Sequence, residues 1–198
     1  MIINQIIFGI LLYFLFSFTE NLVHRYLMHG DRNKYTASLN HWTHHEHTLD
    51  DMNLKKSDGY NSSVNKYLGL YLLWGNTIMI FIIGLIEGFA LYFILKYLCK
   101  MNIVWWSVFI WVIFFSIYQS SFWNTIHPDI HNIKYNLSWK EGIPGWSGYK
   151  IIFTGGLYDW FKRNHELHHL RKGNRKGNFN VTLPGADFII GTMYLSES

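Results

Sequence analysis

Ten of the eleven histidines of this chain fall into four groups whose internal spacing suits metal ligation. The groups are His24 and His29; His41, His44 and His45; His127 and His131; and His165, His168 and His169. Residues three and four apart share one face of a helix. His41, His44 and His45 can therefore converge, as can His165, His168 and His169, and His127 and His131 stand one turn apart. His24 and His29 are five apart, roughly 140° round an ideal helix, so that pair needs a distorted helix end or serves two different ions. Gly30 is a natural stop directly after it. Neutral imidazole suits iron, zinc, copper and nickel. Ten imidazoles exceed the coordination of one ion, so the expectation is a dimetal site in which all ten are ligands. His47 lies outside the repeated spacing and is read as an outer or surface residue.

Each ligand ring needs its second nitrogen oriented by an acceptor. Glu20, one helical turn before His24, is a candidate for this, as are Asn124, Asp129, Glu166, Asp187 and His47. The stretch His165-Glu166-Leu167-His168-His169 also reads H-E-x-x-H, the zinc protease signature with the glutamate as general base. That reading leaves His168 and the other three groups idle. Cys99 is the single cysteine of the 198 residues, which excludes an intrachain disulfide and a cysteine-built zinc site.

The elements that carry these residues alternate with apolar runs. Aromatic residues make up 19% of the chain and charged residues only 15%, with a net charge of +4. Such a composition suits a membrane protein with a polar half, and nothing in it suggests a nucleic-acid partner. Apolar runs near residues 3–22, 67–98 and 103–123 are the expected spans, each long enough to cross a bilayer. The first lacks the basic start and small-residue cleavage site of a signal peptide. The block from Tyr67 to Leu98 is interrupted by Gly75, Gly84, Glu87 and Gly88, and reads as one long or broken span or as a hairpin. Lys96 and Lys100 are the only basic residues between the last two runs; all other Lys and Arg lie in the histidine-bearing regions 24–66 and 124–198. The positive-inside rule then places both regions in the cytoplasm, and the even number of crossings between them argues against the hairpin. Short amphipathic patches occur at Ile151-Ile152-Phe153 and Phe188-Ile189-Ile190. The fold class expected is an all-α integral membrane protein, a single domain over 1–198 with a cytosolic cap carrying the dimetal site.

The order H-x4-H, H-x2-H-H, H-x3-H, H-x2-H-H resembles the fatty acid hydroxylase/sterol desaturase superfamily. The stretch His24-Arg25-Tyr26-Leu27-Met28-His29-Gly30 looks like the opening motif of fatty acid 2-hydroxylases and carotenoid hydroxylases. The tail from Gly177-Asn178-Phe179-Asn180 through Leu183-Pro184-Gly185-Ala186-Asp187 to Thr192 is similar to the segment closing the site in many members. The resemblance implies two metal ions, physiologically iron with zinc possible in isolated protein, and O2 as co-substrate. It implies oxidation of a C–H bond in a lipid substrate and a location in the endoplasmic reticulum membrane if the cell is eukaryotic. The gap from His131 to His165 is longer than in fatty acid 2-hydroxylases and carries Trp139 to Trp146. No fused cytochrome b5 domain fits, so a separate donor is expected, such as cytochrome b5 or a ferredoxin with its reductase. The competing classes are a membrane zinc protease and a non-catalytic metal-binding membrane protein.

Overall fold

The computed structural model describes residues 2–55, 69–134, 136–154, 156–170 and 177–195. Among them the chain is all-helical, with two isolated bridges (Thr48 with Leu54, Leu73 with Gly142) and no strand. Helix α1 (Ile2–Leu22) runs without interruption into a π-helical turn, Val23–Met28. Helix α2 (Thr36–His47) follows. Helix α3 (Trp74–Phe93) ends in a second π turn, Ile94–Leu98, and α4 (Ser107–Ile130) returns alongside it. The short α5 (Tyr149–Ile152), then α6 (Leu157–Leu170) and the short α7 (Ala186–Ile190) complete the chain.

Tyr67 and Lys66 lie outside the described residues, so the start of the expected second span does too. From Trp74 onward the block is one continuous helix rather than a hairpin. Two helical stretches, Ile2–Met28 and Trp74–Leu98, are long and apolar enough by length and composition to cross a membrane. Helix α4, expected as a third span over 103–123, begins at Ser107 and has a different character. Its second half, from Gln119 to Pro128, is buried within the protein and rich in polar side chains.

One apolar stripe joins the long helices. Phe8, Leu12 and Phe16 recur every four residues on α1 and meet Val108, Val112 and Phe115 of α4, with Tyr92 and Leu95 completing the core. The approach is close because α3 offers Gly84 and Gly88, four apart on one face. A Cβ at Gly84 would lie 2.3 Å from Phe16 Cζ, and one at Gly88 would lie 2.8 Å from Val108 Cγ1. Small residues at this spacing let helix backbones pack tightly. The opposite faces are also apolar: Ile3, Ile10, Ile82, Ile86, Ile110 and Phe114 all point outward, with Ile86 67% exposed. These helices bring the C-terminal ends of α1 and α4 and the start of α3 to one end of the bundle. There α2, α6 and the tail close over them, with Leu183 of the tail buried in the α1–α4 core.

Candidate metal centre

Four elements deliver the histidines to this end. The π turn is the distorted helix end that His24 and His29 require. Its widened i→i+5 register, with His29 N–H donating to His24 O at 3.0 Å, stacks the two rings at 5.3 Å between centroids. Helix α2 contributes His41, His44 and His45, the last turn of α4 contributes His127 with His131 directly after it as the C-cap, and α6 contributes His165, His168 and His169.

The rings sort into two groups. In one, His24, His29, His41 and His168 each bring a nitrogen within 4.8 Å of the others; in the second, His44, His127, His131, His165 and His169 do the same. His41 Nε2 stands 3.1 Å from His24 Nε2, 3.0 Å from His29 Nε2 and 3.1 Å from His45 Nε2. His29 Nε2 is 3.0 Å from His168 Nε2. In the second group His44 Nε2 is 3.1 Å from His127 Nε2 and 3.2 Å from His169 Nε2, which is 3.0 Å from His165 Nε2. His45 joins the two, with its ring stacked on that of His169 at 4.1 Å.

These contacts cannot all be hydrogen bonds. A ring nitrogen carries at most one hydrogen, so His41 Nε2 can donate to one of its three neighbours. The remaining lone pairs face each other without a proton between them, among rings that are mostly buried. A cation resolves this. With metal–imidazole bonds of about 2.1 Å, adjacent ligands of an octahedral ion stand about 3.0 Å apart, the spacing seen here. The residues present therefore fit a metal ion in each group.

Three rings are also locked in the tautomer that ligation requires. His24 Nδ1–H donates to the Phe179 carbonyl at 2.6 Å, His131 Nδ1–H to Met52 at 2.7 Å and His168 Nδ1–H to Gly177 at 2.8 Å. Each bond leaves the Nε2 lone pair free to face inward. His131 Nε2 is buried and has no hydrogen-bond partner among the described residues. The outer Nδ1 atoms of His41, His44, His165 and His169 are likewise without partners there. Burial, reinforced by the charges of neighbouring histidines, holds the pKa of His41, His44, His45, His165 and His169 well below 6.5, and burial brings His131 down to about 4. At neutral pH these rings are uncharged and able to ligate.

The acceptors of the three locked rings are backbone carbonyls rather than the side chains singled out in the sequence. Glu20 grips the tail instead: its carboxylate accepts the Thr182 amide at 3.0 Å, the Thr182 hydroxyl at 2.8 Å and the Leu183 amide at 2.9 Å. Asp187 accepts the Asn180 amide at 2.6 Å and Asn21 Nδ2 at 2.8 Å. Together they fix the segment whose Gly177 and Phe179 carbonyls hold His168 and His24, so their influence on the rings passes through backbone. Asn178 sits in the left-handed region (φ 56°) within that segment and bonds Tyr194 through both its amide nitrogen and its oxygen. Asn124 binds the backbone of Leu72 and Ile143, joining α4 to the start of α3. Asp129 pairs with Lys150 at 2.7 Å and Lys162 at 3.5 Å, on the outer face of α4. Glu166 pairs with Arg163 at 3.3 Å on the partly exposed side of α6. His47 donates to the Thr43 carbonyl within its own helix.

The sequence carries no composition or spacing signal for Met52, Gly177 and Phe179, because a backbone carbonyl has no residue type. Only the likeness of the tail to a closing segment points toward two of them. Trp123 is a further component. Its ring lies edge-on to His127 at 4.7 Å and walls the cluster on the bundle side.

A cavity of about 110 Å³ runs between α1 and α3 up to His24. Its walls are mostly apolar, with Phe16, Val23, Leu27, Ile80, Ile83 and Trp123 among them. Neither family models, curated proteins nor solved structures gave a match to this chain.

Proposed function

We propose that this protein is a membrane-bound, O2-dependent dimetal oxidoreductase that hydroxylates or desaturates a lipid chain. The observation that carries the reading is the pair of buried histidine groups with Nε2 atoms 3.0–3.2 Å apart. An all-imidazole set without thiolate suits a redox metal that must face O2, since the ligands themselves resist oxidation. The likeness of the four motifs to the fatty acid hydroxylase/sterol desaturase superfamily favours iron as the physiological metal. Zinc competes well for such nitrogen sites in isolated protein.

In this reading α1, α3 and the first half of α4 cross the bilayer. The histidine-bearing regions form a cytosolic cap on a multi-pass protein, in the endoplasmic reticulum if the cell is eukaryotic. The outward apolar faces of the helices support this, as do the exposed Ile151, Ile152, Phe188 and Ile189 on the short helices of the cap. The cavity between α1 and α3 offers an apolar chain a route from the helix faces to His24. The closed backbone of the tail and Trp123 keep bulk water from the rings.

Two irons held by these histidines would supply the redox chemistry for RH + O2 + 2 e⁻ + 2 H⁺ → ROH + H2O, with the electrons coming from a separate donor such as cytochrome b5 or a ferredoxin. The protein's own part is to hold the rings neutral and oriented, to guide the chain and to exclude water. The protease alternative is disfavoured because Glu166 is engaged with Arg163 away from the cluster, whereas a general base must reach the metal-bound water.

Elemental analysis of purified protein, with comparative lipidomics of cells expressing the chain or its His44→Ala variant, tests the proposal. Two metal ions per chain and an O2-dependent lipid product absent from the variant are expected. One ion or fewer in folded protein refutes the dimetal site. Two ions with no lipid difference leave a metal-binding protein without this activity.

A further inference from the structure

The long gap between His131 and His165 contributes to two cavities that the metal centre does not use. Its segment from Pro144 to Trp146 is fastened to α4. Ser121 Oγ donates to the Pro144 carbonyl at 3.0 Å, and Thr125 Oγ1 accepts the Trp146 amide at 2.7 Å. The Asn136 side chain brackets Gly145, accepting its amide at 3.0 Å and donating to its carbonyl at 3.2 Å. Residues just beyond alternate between the two cavities. Ser147 and Lys150 line a polar cleft of about 450 Å³, together with Asn132 and Lys134 beyond the end of α4. Trp146, Tyr149 and Ile152 line an apolar groove of about 600 Å³, whose other walls include Tyr13 of α1 and Phe114 and Tyr118 of α4. No histidine lines either cavity among the described residues. The acid in the wall of the cleft, Asp129, is already paired with Lys150 at 2.7 Å and Lys162 at 3.5 Å. Lys134 is exposed and has no ion-pair partner among the described residues, so the cleft is net positive.

We infer that this pair of cavities is a binding site for one anionic glycerophospholipid, with its headgroup in the Lys134/Lys150 cleft and an acyl chain in the groove between α1 and α4. The inference rests on the membrane arrangement proposed above, in which the first half of α4 crosses the bilayer and the cleft lies at its cytosolic end. Tyr118 of the groove and Thr125 of the cleft are seven residues apart on α4, about 10 Å along the helix axis. That offset runs along the bilayer normal, as the offset between a headgroup and its chains does. Trp139 and Trp146 are exposed beside the cleft, and tryptophan is enriched at the headgroup level of membranes. Basic pockets at the cytosolic face recognise anionic headgroups, whereas a zwitterionic headgroup gains little from unpaired lysine charge. This lipid is a resident of the fold rather than a substrate, because its site is separate from the α1–α3 cavity that reaches His24. It lies against two side chains that hold the closing tail: Tyr13 donates to the Pro184 carbonyl at 2.6 Å and Tyr118 to that of Thr182 at 3.1 Å.

The test is native mass spectrometry of the full chain, with its metal as isolated, in lipid-free detergent micelles. Dioctanoyl-phosphatidylglycerol, dioctanoyl-phosphatidylcholine and glycerol 3-phosphate are titrated separately. The wild type is expected to prefer phosphatidylglycerol over phosphatidylcholine by about tenfold, the scale of two lysines facing one anionic headgroup. Lys134→Gln/Lys150→Gln is expected to abolish that preference. Ile152→Ser is expected to weaken both lipids and keep the preference, since it removes apolar contact only. Lys34→Gln/Lys55→Gln, an equal loss of charge at exposed positions outside the cleft, is expected to leave it unchanged. Metal content and thermal unfolding confirm the fold of each variant, and Lys134→Glu replaces the first double variant if that one does not fold. No preference in the wild type, or an equal fall in the two double variants, overturns the inference. Glycerol 3-phosphate binding as tightly as phosphatidylglycerol marks a site for a soluble anion and overturns the lipid assignment. The two proposals fail separately: a preference that depends on Lys134 and Lys150 with no O2-dependent product removes the oxidase reading alone. An O2-dependent product with no such preference removes this inference alone.

Discussion

The ring of His131 is held from behind by the Met52 carbonyl and faces the other imidazoles of its group with an uncommitted Nε2. Replacing it with alanine should empty one group and spare the other. Metal content is expected to fall from about two ions to about one per chain in His131→Ala, and likewise in His29→Ala, with His47→Ala unchanged; elemental analysis of purified variants decides. Glu20 tests the tail. Glu20→Ala strands the Thr182 and Leu183 amides in a buried site, at about 1–3 kcal/mol for each donor left unpaired. A loss of about 2–6 kcal/mol is expected, read as a lowered Tm, together with faster metal release to a chelator. Equal stability and retention in Glu20→Ala would show that the tail does not depend on that clamp. The histidine pKa shifts give a pH dependence. Their folded-state values are lowered, so between about 4 and 6.5 the unfolded chain binds more protons than the folded one. Stability is then present above pH 6.5 and lost as the pH falls through that window. Metal-free protein should show a Tm that is flat from pH 7 to 8 and declines below about 6.5, in buffers of equal ionic strength.

At the scale of elements, the long helices depend on Gly84 for their spacing. Gly84→Leu forces side-chain atoms into Phe16 and Val112 and also fills the cavity that Gly84 lines. Overpacking of this kind costs about 1–3 kcal/mol. The variant should unfold at a lower temperature than wild type, whereas Gly75→Ala, where nothing lies within 4 Å of the added Cβ, should not; thermal melts in one detergent compare them. The helices that carry the triplets His41/His44/His45 and His165/His168/His169 were legible in the sequence, because helical periodicity is a local property of the chain. The π turn was legible only as a difficulty: two histidines five apart do not fit an ideal helix, and the strain is absorbed by widening one turn.

For the molecule as a whole, the single thiol is a topological reporter. Cys99 is exposed just past the end of α3 remote from the histidines. Under the proposed membrane arrangement it lies on the opposite face from the exposed Ser147 near the cap. A membrane-impermeant maleimide should label Cys99 from one side of sealed vesicles only. It should label Ser147→Cys, in a Cys99→Ser background, from the other side only. Labelling of both from the same side would overturn the crossing pattern.

Residue type and short-range spacing suffice to mark the helical, histidine-rich character of the chain and the residues able to ligate. The division of those histidines into two groups was decided by tertiary structure, because His24 and His168, or His44 and His127, meet only when α1, α2, α4 and α6 converge. The same holds for the outer anchors. Glu20 stood out as an acceptor near His24, but in the fold it faces the tail, and the bond to His24 comes from the Phe179 carbonyl, 155 residues away. A carbonyl is common to every residue, so no sequence pattern marks the one that a long-range contact will bring to an imidazole.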